Sequence, residues 1–107
     1  MRRGDMITVA LQGAFGKPRP ALIVQADQFQ DAATLTVALV SSDLIEAPLM
    51  RLSVMPTPEN GLRLPSQIMI DKLMTVSRDK VGKPFGRLDD TSMLAVDRLL
   101  ALFLGFG

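Results

Sequence analysis

Short apolar runs, separated by glycine, proline and acidic residues, make up most of the chain up to residue 88. Runs of this length that are bounded by turn-forming residues are typical of β-strands. The pattern predicts strands over residues 6–11, 21–24, 34–40, 51–54, 66–70 and 75–76, and a short extended piece over 85–88. The run at 21–24 is continuously apolar, which predicts a strand buried on both faces, and the strand at 66–70 is expected to end on Asp71.

The last element has a different period. Apolar residues recur at helical spacing through Met93, Val96, Leu100 and Phe103. Asp89 or Asp90 is expected to cap this helix, and Gly105 to end it. A single helical turn is predicted over 77–82. Several short strands followed by one late helix predict a mainly β fold, a small and strongly bent sheet or barrel with the helix packed against it.

Length and hydrophobic content limit the organisation of the chain. It has 107 residues, of which 48% are hydrophobic. This length predicts one domain over residues 1–107. The high hydrophobic share predicts that some apolar surface meets a partner, which we interpret as a homodimer. Asp97 and Arg98 interrupt the longest apolar stretch near the C-terminus, so we expect no membrane span and a cytoplasmic protein.

Missing residue types exclude several kinds of site. The chain contains no cysteine, histidine, tryptophan or tyrosine. Without cysteine there is no disulfide and no thiolate metal site. Without histidine the chain lacks the usual general acid or base and the commonest zinc ligand. Catalysis would have to use Arg, Lys, Asp, Glu, Ser or Thr, and we expect neither a metal nor a cofactor.

One arginine stands out because of its neighbours. Arg19 lies between Pro18 and Pro20 and leads directly into the apolar run at 21–24. Proline fixes its own φ and favours an extended residue before it, so Arg19 is predicted at a rigid strand entrance. A guanidinium held in this way can bind a phosphate or carboxylate with two hydrogen bonds. A solvated loop arginine is the equally open alternative.

Positive charge is unevenly distributed, although the formal net charge is only +1. Residues 72–87 carry five cations against one acidic residue, namely Lys72, Arg78, Lys80, Lys83 and Arg87. Such a segment can form a phosphate-facing stripe. An ordinary solvated face is the more common explanation for charges at this spacing.

Several segments taken together resemble a known family. They are the Arg3-Gly4-Asp5 opening, Gly16–Gln25, Val37–Ser41, the Gly61-Leu62 turn, Ser66–Thr75 and the leucine-rich final helix. In this order they resemble the MazF/PemK toxins. The resemblance implies an SH3-like barrel of the CcdB/PemK type with a C-terminal helix, and a homodimer. It also implies a sequence-specific endoribonuclease that cleaves single-stranded RNA, is inhibited by a cognate antitoxin, and meets operator DNA only through that antitoxin.

The resemblance also implies which residues are active. By position, the family's arginine is Arg19, and its threonine or serine at the end of the third strand is Ser41, with Ser42 as the register alternative. Asp71 corresponds to an acidic residue of the later strand. Two departures concern the PemK branch, which often has an arginine where this chain has Met69, and which has a histidine in the first loop. An arginine-plus-hydroxyl scheme therefore fits better.

The RNA 2′-hydroxyl can serve as the nucleophile, so the protein must mainly stabilise charge on the phosphoryl oxygens. Arg19 suits that role, and Ser41 can donate to the same phosphate. Asp71 is the candidate base, or simply a carboxylate that caps a turn. We expect further RNA contacts from Phe15, Lys17, Ser42, Lys72 and Arg78. Phe15 can stack on a base or pack its own loop.

Two other functions stay open from the sequence. The first is a gyrase poison of the CcdB type, which shares the fold and the dimer. That activity depends on a C-terminal tripeptide that begins with tryptophan, whereas this chain ends Gly105-Phe106-Gly107. The second is a non-catalytic binding domain of the same fold, for which Met69 and Lys72 are the arguments.

Overall fold

The structure is a computed structural model that describes residues 1–11 and 17–107. Over these ranges the strands are β1 Asp5–Val9, β2 Arg19–Ile23, β3 Thr34–Ser41, β4 Arg51–Val54, β5 Ser66–Ser77 and β6 Gly86–Arg87, and the helix is α1 Asp90–Leu104. Short 3₁₀ turns cover Asp27–Phe29 and Arg78–Lys80. The predicted mainly β fold with a C-terminal helix is confirmed.

The strands form one antiparallel sheet in the order β4-β5-β3-β2-β1-β6. It curls into a half-barrel, and α1 packs against β5 and β4. Sequential strands pair directly from β1 to β3, as expected for strands joined by short connections. The half-barrel with its helix is the SH3-like architecture that the sequence led us to expect.

Strand β5 differs from its prediction, which placed two separate strands on either side of Asp71. The strand is continuous over twelve residues, and Asp71 lies inside it. Its pairing with β3 shifts on the way, because Ala38 lies opposite Leu73 whereas Val40 lies opposite Ile68. Asp71 and Lys72 lie in this bulge, which interrupts the pairing with β3 without ending the strand. The sequence prediction was wrong here because it took a polar pair as the end of the strand.

Apolar side chains form two buried clusters on the two faces of the sheet. The cluster beneath the helix contains Met6, Leu22, Ala38, Val40, Val54, Ile68, Ile70, Leu88, Met93, Val96 and Leu100. The other cluster contains Ile7, Val9, Ala21, Ile23, Leu35, Val37 and Val76. Strand β2 contributes to both clusters, so the predicted burial on both of its faces is confirmed.

The final helix follows its predicted bounds but not all of its predicted burial. Asp89 is the cap, because its Oδ2 accepts a hydrogen bond of 3.0 Å from the backbone N–H of Ser92. Gly105 ends the helix with a positive φ of 87°. Phe103 was expected in the core but is 46% exposed, and Leu104 is 56% exposed. The last turn of α1 therefore exposes apolar side chains to solvent.

A buried asparagine holds the turn between β4 and β5. Asn60 is only 2% exposed. Its Oδ1 accepts hydrogen bonds from the backbone N–H groups of Thr57 and Leu62, each at 3.0 Å. Its Nδ2 donates to the carbonyl of Met55 at 2.9 Å. The Asn60 side chain thus provides hydrogen-bond partners for backbone groups along the turn and fixes the shape of the turn.

An ion pair joins β4 to the bulged part of β5. Arg51 donates to both oxygens of Asp71, Nε to Oδ1 at 2.8 Å and Nη2 to Oδ2 at 3.2 Å. The two side chains are 11% and 19% exposed. Burial raises the pKa of Asp71, but the hydrogen bonds and charge of Arg51 lower it more, so this pKa lies below its ordinary value of 3.8.

Asp71→Asn should lower the free energy of unfolding near pH 7 by about 3 kcal/mol, because Arg51 would lose its partner while largely buried. Since the pKa of Asp71 is lowered on folding, the pair stabilises the protein above roughly pH 4 and is lost as pH falls through the lowered pKa. Urea unfolding of wild type and Asp71→Asn, from neutral to acidic pH, should show that the difference between their free energies of unfolding becomes smaller as pH falls. Asp97→Asn is the matched control, because Asp97 pairs with Arg3 while 48% exposed, and equal losses in the two variants would contradict the prediction.

Asn60→Ala should lower the free energy of unfolding by about 2–4 kcal/mol, because it removes the three hydrogen bonds that this buried side chain makes to backbone groups of the turn. Chemical unfolding measures this cost. Gln28→Ala, at an exposed position, should change stability by less than about 0.5 kcal/mol. A similar small effect at Asn60 would show that the turn does not depend on this side chain.

Candidate functional site

Two of the predicted catalytic residues lie at the ends of adjacent strands. Arg19 is the first residue of β2, and Ser41 is the last residue of β3. The strands pair with Ala21 opposite Leu39, and the same register carried two residues further places Arg19 opposite Ser41. Both side chains line the same two cavities. The structure therefore brings together two residues that are far apart in the sequence.

The guanidinium of Arg19 is available for a ligand. The residue is exposed, and within residues 1–11 and 17–107 its side chain takes part in no ion pair or hydrogen bond. Its backbone is fixed, because Arg19 pairs with Val9 of β1 and precedes Pro20. The predicted position of Arg19 at the entrance of a strand is confirmed. A held cation with free N–H groups favours binding of an anion with two acceptor oxygens.

The hydroxyl of Ser41 is oriented by the backbone. Its Oγ accepts a hydrogen bond of 3.0 Å from the N–H of Asp43. Because the oxygen is used as an acceptor there, the hydroxyl proton remains to be donated elsewhere. Ser42 is exposed and lines one of the cavities that Ser41 lines. Ser41 is thus the better oriented donor of the two.

The two cavities differ in character. The first, which we call the serine cavity, has a volume of about 230 Å³. It is lined by Arg19, Pro20, Val40, Ser41, Ser42, Asp43, Leu62, Arg63, Leu64 and Ser66. The second, the methionine cavity, has about 250 Å³ and is lined by Leu11, Arg19, Leu39, Val40, Ser41 and Met69. Met69 therefore stands beside Arg19, and it offers an apolar thioether on that side.

Charge in the serine cavity favours an anion. Arg19 and Arg63 bring two guanidinium groups to its lining, against the single carboxylate of Asp43. Arg63 was missed in the sequence analysis. Its signal was a basic residue that directly follows the Asn60-Gly61-Leu62 turn, which the structure brings next to the β2–β3 strand ends. The cavity has the polarity that a phosphate group requires.

Asp71 lies apart from this arrangement. It is not part of the lining of the serine or the methionine cavity. Both of its oxygens accept hydrogen bonds from Arg51, and its lowered pKa disfavours uptake of a proton. A role as general base stays a prediction, and these surroundings favour a role as the partner of Arg51.

The basic segment does not present a continuous stripe of free charge. Arg78 donates to the backbone carbonyls of Gln30 and Ala32. Arg87 donates to Asp5 and to the carbonyl of Arg3, each at 3.0 Å. Both guanidinium groups therefore hold the fold together, and the structure does not bring Arg78 to either cavity.

The other predicted RNA contacts stay predictions. Lys17 and Lys72 are exposed, and neither belongs to the lining of the two cavities. Phe15 lies outside the described residues. Across the part of the chain that the structure describes, no acidic residues are grouped in a way that would hold a metal ion. In the same part, no helix is long and apolar enough to cross a membrane.

Comparison with known proteins identifies the family. PemK-like, MazF-like toxin of type II toxin–antitoxin system is the family that matches residues 2–104. The chain is 47% identical over 106 residues to a protein named probable endoribonuclease MazF of Mycolicibacterium smegmatis, covering 98% of this chain and 97% of that protein. It is 25% identical over 114 residues to endoribonuclease MazF9 of Mycobacterium tuberculosis, covering 97% and 96%.

Solved structures agree on the fold. An endoribonuclease in complex with its cognate antitoxin, from a mycobacterial species, superposes with a TM-score of 0.84 at 20% identity and covers 100% of this chain and 97% of that chain. A MazE–MazF structure from Deinococcus radiodurans gives a TM-score of 0.77 at 17% identity and covers 100% and 97%. With a family match across nearly its whole length, the chain belongs to the PemK-like, MazF-like toxins of type II toxin–antitoxin systems.

Proposed function

We propose that this MazF-type toxin is a sequence-specific endoribonuclease that cleaves single-stranded RNA without a metal ion and thereby inhibits growth. The observation that carries the proposal is the meeting of Arg19 and Ser41 in the serine cavity. RNA supplies its own nucleophile, because the 2′-hydroxyl loses its proton and attacks the adjacent phosphorus. The bond from phosphorus to the 5′-oxygen of the next nucleotide breaks, that oxygen takes up a proton and leaves as a 5′-hydroxyl, and a 2′,3′-cyclic phosphate remains. The protein then has to align that attack and stabilise the charge that develops on the phosphoryl oxygens.

Arg19 stabilises this charge. Its planar guanidinium can donate to two phosphoryl oxygens at once, whereas the ammonium of a lysine offers no matching fork. Because the backbone of Arg19 is paired with Val9, little reorganisation is needed when the phosphate binds. The contribution is largest in the transition state, where the oxygens carry more negative charge.

Ser41 donates the second hydrogen bond to the phosphate. Its oxygen already accepts a hydrogen bond from the N–H of Asp43, which leaves the hydroxyl proton available for donation to a ligand. Of the three residues predicted to be catalytic, we assign direct contact with the substrate to Arg19 and Ser41. Asp71 acts as a positioning residue that binds Arg51 and supports the β5 wall carrying Met69.

We further propose that residues 1–107 form one toxin domain that acts as a cytoplasmic homodimer. The exposed apolar side chains of α1 support this assembly, since several large apolar side chains exposed on one helix are typical of an interaction surface. They are Leu94, Leu102, Phe103 and Leu104. A cognate antitoxin is the second partner, as in the solved complexes of similar fold, and operator DNA is reached only through it.

Arg19→Ala should reduce RNA cleavage by about a hundredfold to a thousandfold, because it removes a preorganised donor at the phosphate. Arg19→Lys should not restore full activity, since lysine lacks the fork. Wild type and both variants are incubated with mixed-sequence single-stranded RNA, with and without EDTA, and the ends are mapped. Wild type should give EDTA-resistant cuts that end in 2′,3′-cyclic phosphates.

Two outcomes of that assay contradict the proposal. Full activity in a folded Arg19→Ala protein would remove Arg19 from the chemistry. Intact RNA together with trapped gyrase–DNA complexes would favour a gyrase poison instead, and neither activity would favour a non-catalytic binding domain.

Ser41→Ala should lower the cleavage rate by about tenfold to a hundredfold, since it removes one hydrogen bond to a charged group. Ser42→Ala is the matched control, a neighbouring serine of the same cavity without the backbone hydrogen bond that orients Ser41. Its rate should stay within about threefold of wild type. A larger loss at Ser42 than at Ser41 would assign the active hydroxyl to the alternative register.

A further inference from the structure

A third cavity adjoins the serine cavity. Its volume is about 350 Å³, and it is lined by Thr8, Pro20, Gly61, Leu62, Arg63 and Phe85. Three of these residues, Pro20, Leu62 and Arg63, line the serine cavity as well. The two cavities therefore adjoin each other, and we call the third one the phenylalanine cavity. Its volume is sufficient for a small flat ligand.

Phe85 is presented to this cavity by a rigid backbone. Its N–H donates to the carbonyl of Met6 at 2.8 Å. Gly61 lies directly against it, with a φ of 70°, and a Cβ at Gly61 would come within 2.5 Å of the Phe85 carbonyl oxygen and 2.8 Å of its Cδ1. The side chain is nevertheless 38% exposed. The structure thus holds an aromatic ring in place and leaves part of it open.

Arg63 marks the boundary between the two cavities. It is exposed, and in the described residues its side chain forms no ion pair. The turn before it is fixed by Asn60, whose Oδ1 accepts from Leu62, the residue next to Arg63. An unneutralised cation at a fixed turn, beside an anion-binding cavity, fits a second phosphate of the same strand.

We propose that the phenylalanine cavity is a nucleobase subsite. A base next to the cleaved bond stacks on Phe85, while Arg63 binds the phosphate that links this nucleotide to the one in the serine cavity. Proteins commonly bind unpaired RNA bases on aromatic rings, and an adjacent cation binds the backbone. This inference rests on the proposed ribonuclease function and deepens it, because it assigns part of the base recognition to residues 61–63 and 85.

Binding tests the subsite without depending on cleavage. Affinity for a fluorescein-labelled, mixed-sequence single-stranded RNA is measured by anisotropy, with all proteins in the Arg19→Ala background so that the RNA stays intact. Phe85→Ala should weaken binding by roughly 5- to 100-fold. Phe85→Leu preserves apolar volume and still loses the ring face, so it should also weaken binding by at least about threefold. Phe29→Ala, at an exposed phenylalanine outside the cavities, should have no effect.

Salt dependence separates the two contacts. Arg63→Gln should reduce the slope of log affinity against log salt by about 0.7, which corresponds to one phosphate contact with a single strand. Phe85→Leu should leave that slope unchanged. An unchanged slope in a folded Arg63→Gln protein would remove Arg63 from the subsite.

An abasic scan then locates the base. In RNA whose cleavage site has been mapped with wild type, each nucleotide near the cut is replaced in turn by an abasic one. At one position, the abasic replacement should slow cleavage by wild type. The same replacement should change the cleavage rate of Phe85→Leu by less than about twofold, since that variant has already lost the ring on which the base stacks. Equal losses in both proteins would overturn the subsite.

The two proposals fail differently. Wild type that binds RNA in a Phe85-dependent way but never cleaves it contradicts the ribonuclease function and supports the subsite. Cleavage with unchanged affinity in folded Phe85→Ala and Phe85→Leu proteins overturns the subsite and leaves the ribonuclease function intact. Absence of any RNA binding overturns the subsite as well.

Discussion

The pairing of β2 with β3 is the constraint on which the candidate site depends. Strand β2 sends side chains into a buried cluster on each face of the sheet. A slip of one residue would move every one of these side chains to the wrong face, so burial fixes the register. The same register sets Arg19 opposite Ser41, where the strands leave the core. Hydrophobic packing thus determines the geometry of two polar residues that take no part in it.

The bulge in β5 also supports the candidate site. It lets one strand pair with β3 on both sides of the irregularity and with β4 over residues 66–69. The Arg51–Asp71 ion pair lies at this irregularity and joins β4 to β5. Met69, the β5 residue opposite Arg51, forms a wall of the methionine cavity. A largely buried ion pair and a backbone bulge therefore support the site from outside it, since neither Arg51 nor Asp71 lines the serine or the methionine cavity.

Much of the fold, and the position of Arg19 in the site, could be predicted from the sequence, because both depend on patterns formed by neighbouring residues. Apolar runs gave the strands, helical spacing and Asp89 gave the helix, and the proline-flanked Arg19 pointed to the strand entrance. Side-chain partners far along the chain could not be predicted. Arg78 binds carbonyls more than forty residues away, and Arg63 reaches the site only because of the fold. The sequence does not show whether the side chain of an arginine is free for a ligand, as that of Arg63 is among the described residues, or donates to carbonyls of the same chain, as that of Arg78 does.

Along β2, burial changes from complete to none within a few residues. Ala21, Leu22 and Ile23 are buried, Pro20 is half-buried and Arg19 is exposed. The side chain to which we assign the chemistry, that of Arg19, therefore belongs to the strand but not to the core. On this assignment, loss of activity and loss of the fold are separable by mutation. A single base change in the codon of Arg19 would then give an inactive toxin that still folds.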